Sequence, residues 1–215
     1  MALVVVVDYG MGNLRSVEKA LTHIGTSDEI KVSGNPADIS IADKIVFPGQ
    51  GAMPDCMKEL ESRGLIEPIR LAAAKKPLLG ICIGLQLLFE RSAEGGVDGL
   101  GLMSGEVRKF PPNKLDNRGA KFKVPHMGWN TVDICQAHPV FEGIENEECF
   151  YFVHSYFVEP VQSEVVIGKT DYINNFTSAV AHKNIVAVQF HPEKSQQAGL
   201  RILANFLNWD GRWSG

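Results

Sequence analysis

Cys82, His191 and Glu193 are the residues whose types and spacing point most directly to a reaction. Cys82 sits in "LLGICIGLQ" (residues 78–86), between Gly80 and Gly84, where an apolar run gives way to a helix-like pattern. Gly-x-Cys-x-Gly at a strand-to-helix junction is the cysteine form of the nucleophile elbow. The glycines matter because the backbone at such a nucleophile is strained and neighbouring strands pass close to it. A helix beginning at Gly84 would point N–H groups and its positive end at the sulfur, favouring the reactive thiolate. Taken alone, the motif fits a buried inert cysteine equally well. A base and an oxyanion hole therefore have to be found elsewhere in the chain.

The base is offered by "AVQFHPEKS" (residues 187–195), where His191 and Glu193 follow an apolar strand. Sites in α/β sheets form at strand ends, and Pro192 forces an extended turn from which both side chains can project. The carboxylate would hold one imidazole tautomer while the other ring nitrogen faces the thiol. The other reading is a turn histidine with a surface glutamate, which is how His23, His138 and His182 read. A zinc site is a poor fit, because no third ligand stands at sensible spacing, and no metal is expected. For the oxyanion, "PGQG" (residues 48–51) ends another buried strand. Its glycines around Gln50 allow a peptide N–H at Gln50 or Gly51 to turn toward a developing charge. A second donor would be the N–H of Ile83, directly after the cysteine. "GMGNLRS" (residues 10–16) invites a dinucleotide reading, but Arg15 stands where the third glycine of GxGxxG belongs, so no cofactor is expected.

These residues need elements to position them. "LVVVVD" (3–8), "KIVFPG" (44–49) and "PLLGI" (77–81) read as buried parallel strands. Helical patterns cover 13–24, with Leu14, Val17, Leu21 and Ile24 on one face and Gly25 as the stop, then about 52–62 and 65–74. A further helix is expected over 84–90. From about residue 105 the pattern becomes short strands: "GEVRKF", "NTVDI", "CFYFVHSYFV", "VVIGKT", "TSAVAH" and "IVAVQF". A helix over 196–209 closes the chain, with Leu200, Leu203, Phe206 and Leu207 inward. Alternating strands and helices followed by a β-rich half imply an α/β fold, a central mixed, mostly parallel sheet flanked by helices. The 215 residues suit one domain, 1–215. Residues 110–124 read as a linker-like loop, its cations Lys109, Lys114, Arg118, Lys121 and Lys123 solvated or else contacting an anion.

Composition narrows the classes. Apolar residues make up 45% and charged residues 21%, ordinary for a protein with a sizeable core, and the formal net charge of −4 argues against nucleic acid as the main partner. No stretch reads as a membrane span, and the N-terminus lacks a basic leader, so a cytoplasmic location is expected. The four cysteines form no CxxC, and free thiols are expected.

Together "GICIGLQ", "PGQG" and "FHPE" resemble the class I (triad) glutamine amidotransferase domains over nearly the whole chain. The likeness narrows to the glutaminase subunits of imidazole glycerol phosphate synthases through "DYGMGNLRSV", "PHMGWN" (125–130), "YFVHSY" (151–156) and "QFHPEKS". Gln50 departs from the valine expected there, which a backbone donor should tolerate. The resemblance implies a Cys82–His191–Glu193 triad that hydrolyses L-glutamine through a glutamyl thioester. By analogy Gln86 and the backbones around Gly51, Ser155 and Tyr156 hold the substrate's α-amino and carboxylate groups. Ammonia then passes to a separate (β/α)₈-barrel cyclase, giving imidazole glycerol phosphate and aminoimidazole carboxamide ribotide. Met11, Asn13 and Trp129 are the expected partner-facing residues. Such a chain needs a gate, and the glycines of "PGQG" let one peptide rest with its N–H turned away, a donor worth about 2.7–4 kcal/mol. Two competing readings stay open: a glutaminase serving pyridoxal phosphate, purine or anthranilate synthesis, and a regulatory subunit with a dead triad.

Overall fold

The computed structural model describes residues 1–25, 27–115 and 119–213. The N-terminal half alternates as its pattern requires. β1 (Leu3–Val7) is a β-branched run buried from Val4 to Val7. α1 (Leu14–His23) turns Val17, Ala20 and Leu21 inward and is stopped by Gly25 at φ +73°. β2 (Glu29–Ser33) and α2 (Pro36–Ile41) were not legible as elements. β2 is half charged and lies at the sheet edge, and α2 is a short helix whose Asn35 side chain accepts from Ala37 N at 2.9 Å. The Asn-Pro pair is a helix-start signal that was available. β3 (Lys44–Gly49), α3 (Met53–Ser62), α4 (Ile66–Ala73) and β4 (Leu78–Cys82) then follow close to expectation.

The helix expected over 84–90 is the clearest correction. α5 (Ile83–Gln86) is a single turn, and the chain goes directly into β5 (Phe89–Ser92) and β6 (Val97–Asp98). Residues 83–89 are buried on every side, so the apolar run carries no amphipathic period to tell a helix from a strand. The β-rich half comprises β7 (Met103–Lys109), β8 (His126–Ile134), β9 (Glu148–His154), β10 (Tyr156–Pro160), β11 (Val166–Asp171), β12 (Asn175–His182) and β13 (Ile185–Val188). "CFYFVHSYFV" is therefore two strands broken at Ser155, not one. α6 (Gln196–Asn208) buries Ile202, Leu203, Phe206 and Leu207, while Leu200 is only half-buried.

The sheet order is β2-β1-β3-β4-β13-β12-β10-β7-β5-β6, with β11, β8 and β9 branching from β12. The five strands from β2 to β13 are mutually parallel. Beyond β13 the pairings are antiparallel, except β5 with β7. The parallel character read from the sequence thus belongs to one half of the sheet. α1 packs with α6, and α2 with α4. Right-handed crossovers from β1 outward to β2 and back to β3 put these pairs on opposite faces. Lys44 ties the C-terminus of α6 to the sheet, its Nζ donating to the carbonyls of Phe206 (3.3 Å), Leu207 and Trp209 (2.7 Å). A cation there complements the negative helix end.

This topology creates one rim. Gly49 of β3 pairs in register with Cys82 of β4, and Ile81 pairs with Val188 of β13. The carboxyl ends of β3, β4 and β13 therefore deliver "PGQG", Cys82 and "FHPE" to the same edge. Among the described residues no helix is long and apolar enough to cross a membrane.

Candidate active site

Cys82 adopts φ 57° and ψ −109° and is buried, a strained conformation for a residue with a Cβ. Its neighbours explain why both flanking positions are glycine. A Cβ on Gly84 would collide with the Phe47 carbonyl oxygen, and one on Gly80 would stand 2.8 Å from the Ala187 Cβ. The elbow is thus wedged between β3 and β13. Because α5 is one turn long, its dipole is too short to act on the sulfur as a full helix would, and only the free N–H groups of that turn remain.

His191 follows β13 and opens a short 3₁₀ turn over Pro192–Lys194. The turn is clamped to β9: His191 N donates to Tyr151 O at 2.9 Å, Tyr151 N to Ser195 Oγ at 3.0 Å, and Ser195 Oγ to His191 O at 2.7 Å. Gly199, in the first turns of α6, has no room for a Cβ against the Pro192 carbonyl, so α6 presses on the same turn. The His191 Nδ1 lies 2.9 Å from Glu193 Oε1, with side-chain exposures of 4% and 1%. A carboxylate only accepts, so Nδ1 carries the proton and Nε2 is left for the sulfur side. Burial opposes charge on this ring, but the thiolate form of Cys82 and the Glu193 carboxylate outweigh it and raise His191 to about 10. Nε2 makes no hydrogen bond of ordinary geometry, yet Cys82 is close enough to act on its charge.

Cys82 and His191 share a cavity of about 300 Å³ with Gln50, Gly51, Ile83, Gln86, Ser155 and Tyr156. Every residue expected from the sequence to hold the oxyanion or the substrate lines it, and Glu193 stands behind His191. Gly51 has φ +105°, and a Cβ there would meet the Met11 Cε at 2.9 Å, so Met11 packs on the "PGQG" turn. Asn13 is half-buried at the start of α1. Trp129 is 49% exposed, its ring 6.0 Å from that of Tyr151, and Met127 is exposed one pleat away on β8. Met11, Asn13 and Trp129 are outside the cavity lining. Lys109, Lys114, Lys121 and Lys123 are exposed, Lys109 with its Nζ 5.8 Å from the Tyr156 ring centroid. Arg118 lies outside the described residues.

Several residues at the site were missed. Gln189, fully buried, donates from Nε2 to Cys82 Sγ at 3.8 Å and accepts at Oε1 from Gln86 Nε2 at 3.1 Å. Its signal was a polar residue closing an apolar strand, "IVAVQF". His154, Glu94, Pro125, Val153 and Lys194 also line the cavity. His154 and His126 form a buried pair, His126 Nδ1 to His154 Nε2 at 3.0 Å. The Tyr156 carbonyl, 2.8 Å from His154 Nδ1, fixes the polarity: Nδ1 donates to it, so His154 Nε2 accepts from His126, and His126 Nε2 faces Asn130 Nδ2 at 3.3 Å. Burial pulls His126 down to about 4 and His154 to about 3. His138 corrects its surface-turn reading. It is buried against Trp209 and Trp213, its Nδ1 accepts from Val140 N at 3.1 Å, and burial lowers it to about 4. His23 is exposed and His182 half-buried. All four cysteines are free.

A strained cysteine, a histidine–carboxylate pair and glycine-lined donors at one rim of an α/β sheet are the arrangement that cysteine-dependent acyl transfer requires. Residues 5–209 match the family model described as glutamine amidotransferase class-I. A PurLQS structure from Thermotoga maritima superposes at TM-score 0.73 with 19% identity, covering 97% of this chain and 99% of that one. A second solved structure, of a glutamine amidotransferase, does so at 0.71 and 18%, covering 95% and 97%. Closer in sequence is the imidazole glycerol phosphate synthase subunit HisH of Aromatoleum aromaticum, 57% identical over 97% of this chain and 99% of the relative. The HisH subunit of Neisseria meningitidis serogroup A is 51% identical over 95% and 98%. The chain belongs to the class-I glutamine amidotransferases and, within them, to the family of imidazole glycerol phosphate synthase HisH subunits.

Proposed function

We propose that this chain is the glutaminase of an imidazole glycerol phosphate synthase, with Cys82, His191 and Glu193 as its triad. The observation that carries the reading is the strained Cys82 in one cavity with His191, whose Nδ1 is held by Glu193. The Cys82 thiolate attacks the side-chain amide of glutamine. Backbone N–H groups at Gln50 or Gly51 and at Ile83 hold the tetrahedral oxyanion. His191 Nε2 gives its proton to the departing ammonia, leaving a glutamyl thioester. It then takes a proton from the attacking water, and glutamate leaves. Gln86, Gly51, Ser155 and Tyr156 hold the amino-acid end.

The ammonia is handed to a separate (β/α)₈-barrel cyclase subunit that makes imidazole glycerol phosphate and aminoimidazole carboxamide ribotide. Met11, Asn13 and Trp129 belong to the docking face. The exposed indole, set edge-on against Tyr151, supports this, since Trp is a favoured interface anchor. Met11, packed on Gly51, gives docking a physical contact with the "PGQG" turn. The test is glutamate release from the purified chain, with and without the cyclase and its nucleotide ligand. Release should be weak alone and rise with the partner, and Cys82→Ala should abolish it while ammonia-dependent synthesis by the partner persists. Cys82→Ala activity within about tenfold of wild type, roughly 1.4 kcal/mol, would refute the nucleophile. Full activity without the cyclase would refute the gate.

A further inference from the structure

We infer that Gln189 is a positioning residue that joins the two halves of the reaction site, donating to the Cys82 sulfur while fixing Gln86 to meet the substrate. The inference rests on the glutaminase reading above and names a residue that reading does not use.

The polarity of this joint is set by a backbone atom. The Tyr156 carbonyl can only accept, and Gln86 stands 3.1 Å from it, so Gln86 presents Nε2 there. The same Nε2 is 3.1 Å from Gln189, which must therefore offer Oε1. That leaves the Gln189 Nε2 facing Cys82 Sγ at 3.8 Å. No amide in this line can be flipped without setting two donors or two acceptors against each other. Gln189 itself is fully buried, with its backbone N donating to Ser178 O at 2.8 Å, so neither end of the side chain has water as an alternative partner.

Two consequences follow. Both N–H groups of the Gln86 amide are occupied, so its Oε1, buried and without a protein hydrogen-bond partner, is the amide atom left to accept from a substrate in the cavity that Gln86 lines. An α-ammonium group on the substrate is the donor that fits it. At the other end, an amide N–H against sulfur favours the thiolate over the thiol and cannot itself lose a proton at working pH. His191 changes its protonation during turnover, whereas Gln189 gives the sulfur a constant partner. The two glutamines occupy the end of β13 and α5, so the joint also spans the seam between the strand that brings the base and the turn that follows the nucleophile.

The test uses the full chain with its cyclase and two readouts. Cys82 alkylation by iodoacetamide is followed by peptide-resolved mass spectrometry, because Cys135 and Cys149 are exposed and react as well. Glutamate release gives kcat and KM. Gln189→Met should lower the Cys82 alkylation rate at pH 7 about tenfold, the order expected for losing one hydrogen bond to a charged group, and raise the KM for glutamine. Gln86→Met should raise KM and lower the alkylation rate less than Gln189→Met does, because Gln189 keeps its amide beside the sulfur but loses the partner that fixes its polarity. The double variant should have a KM no worse than Gln86→Met, because Gln189 acts on substrate only through Gln86. Gln189→Asn keeps the amide but withdraws it by one methylene, and should show both effects even if the Met variant folds poorly. Wild-type alkylation in both Gln189 variants, or KM effects that add, would overturn the inference. If wild-type chain with cyclase released no glutamate at all, the glutaminase reading would fail instead, and the alkylation arm would still report on the Gln189–sulfur contact.

Discussion

Two buried histidine systems stand at the same cavity and are set to opposite charge states. His191 is raised to about 10, while His154 is lowered to about 3 and its neighbour His126 to about 4. Burial acts in the same direction on all three, so it cannot be the cause of the difference. What differs is the partner. His191 has a carboxylate at 2.9 Å and the sulfur of Cys82 on its other side. His154 has a neutral imidazole and a carbonyl, and His126 has an amide and lies between the Phe152 and Tyr172 rings. Without a negative partner a buried imidazole stays neutral, and a neutral pair serves as a rigid, directional hydrogen-bond line. Here that line ends on the Tyr156 carbonyl, which also anchors Gln86. In the proposed reaction the first system moves a proton, while the second holds a segment still.

The largest expected effect comes from removing the first system. His191→Ala should cost about 10²–10⁴-fold in glutamate release, the usual worth of a general base. Glu193→Gln, which makes His191 resemble His154 by taking away its charge partner, should cost less, because the clamped turn still orients the ring. A Glu193→Gln loss greater than that of His191→Ala would show that the carboxylate does more than hold and charge the imidazole.

The comparison can also be run in reverse. Asn130→Asp places a carboxylate where His126 Nε2 now meets an amide at 3.3 Å. It should lift the His126 titration from about 4 toward or above the ordinary 6.5, read by NMR of the ring protons. A His126 titration left near 4 would mean that desolvation there outweighs an adjacent charge.

The comparison extends last to stability in acid. His126, His138 and His154 take up protons near 6.5 when unfolded but only at about 4, 4 and 3 when folded. The unfolded chain therefore binds more protons between those values, and stability rises with pH across that window. Tm should fall as the pH is lowered from about 6.5 toward 4. His154→Gln should flatten that fall, since it removes one of the three groups. An unchanged slope in that variant would mean that His154 contributes nothing to the acid response.

The residues that meet at the candidate site were largely legible in the sequence, because short local patterns mark them. Glycines around Cys82 and a proline between His191 and Glu193 are local solutions to local backbone problems, and they can be read without knowing the fold. The same holds for β1, β3 and β4, whose continuous apolar runs record burial on both faces. Reading failed where a segment's structure is decided by what surrounds it. Residues 84–90 are apolar almost throughout and became one helical turn and a strand. β2 is a charged edge strand that pairs in the sheet with β1 alone. His138 carries no local sign that Trp209 and Trp213 will close over it.

By itself, then, the sequence determined which cysteine, histidine and carboxylate stand in local backbone patterns suited to a site. Tertiary structure decided their protonation and their neighbours. β13 inserts parallel beside β4, and only that pairing sets His191 and Gln189 against Cys82. Charge state follows from burial and from partners distant in the chain: His191 and His154 are both histidines in apolar surroundings, and no spacing distinguishes them. The distinction appears only when the folded chain sets a carboxylate beside one ring and a carbonyl beside the other.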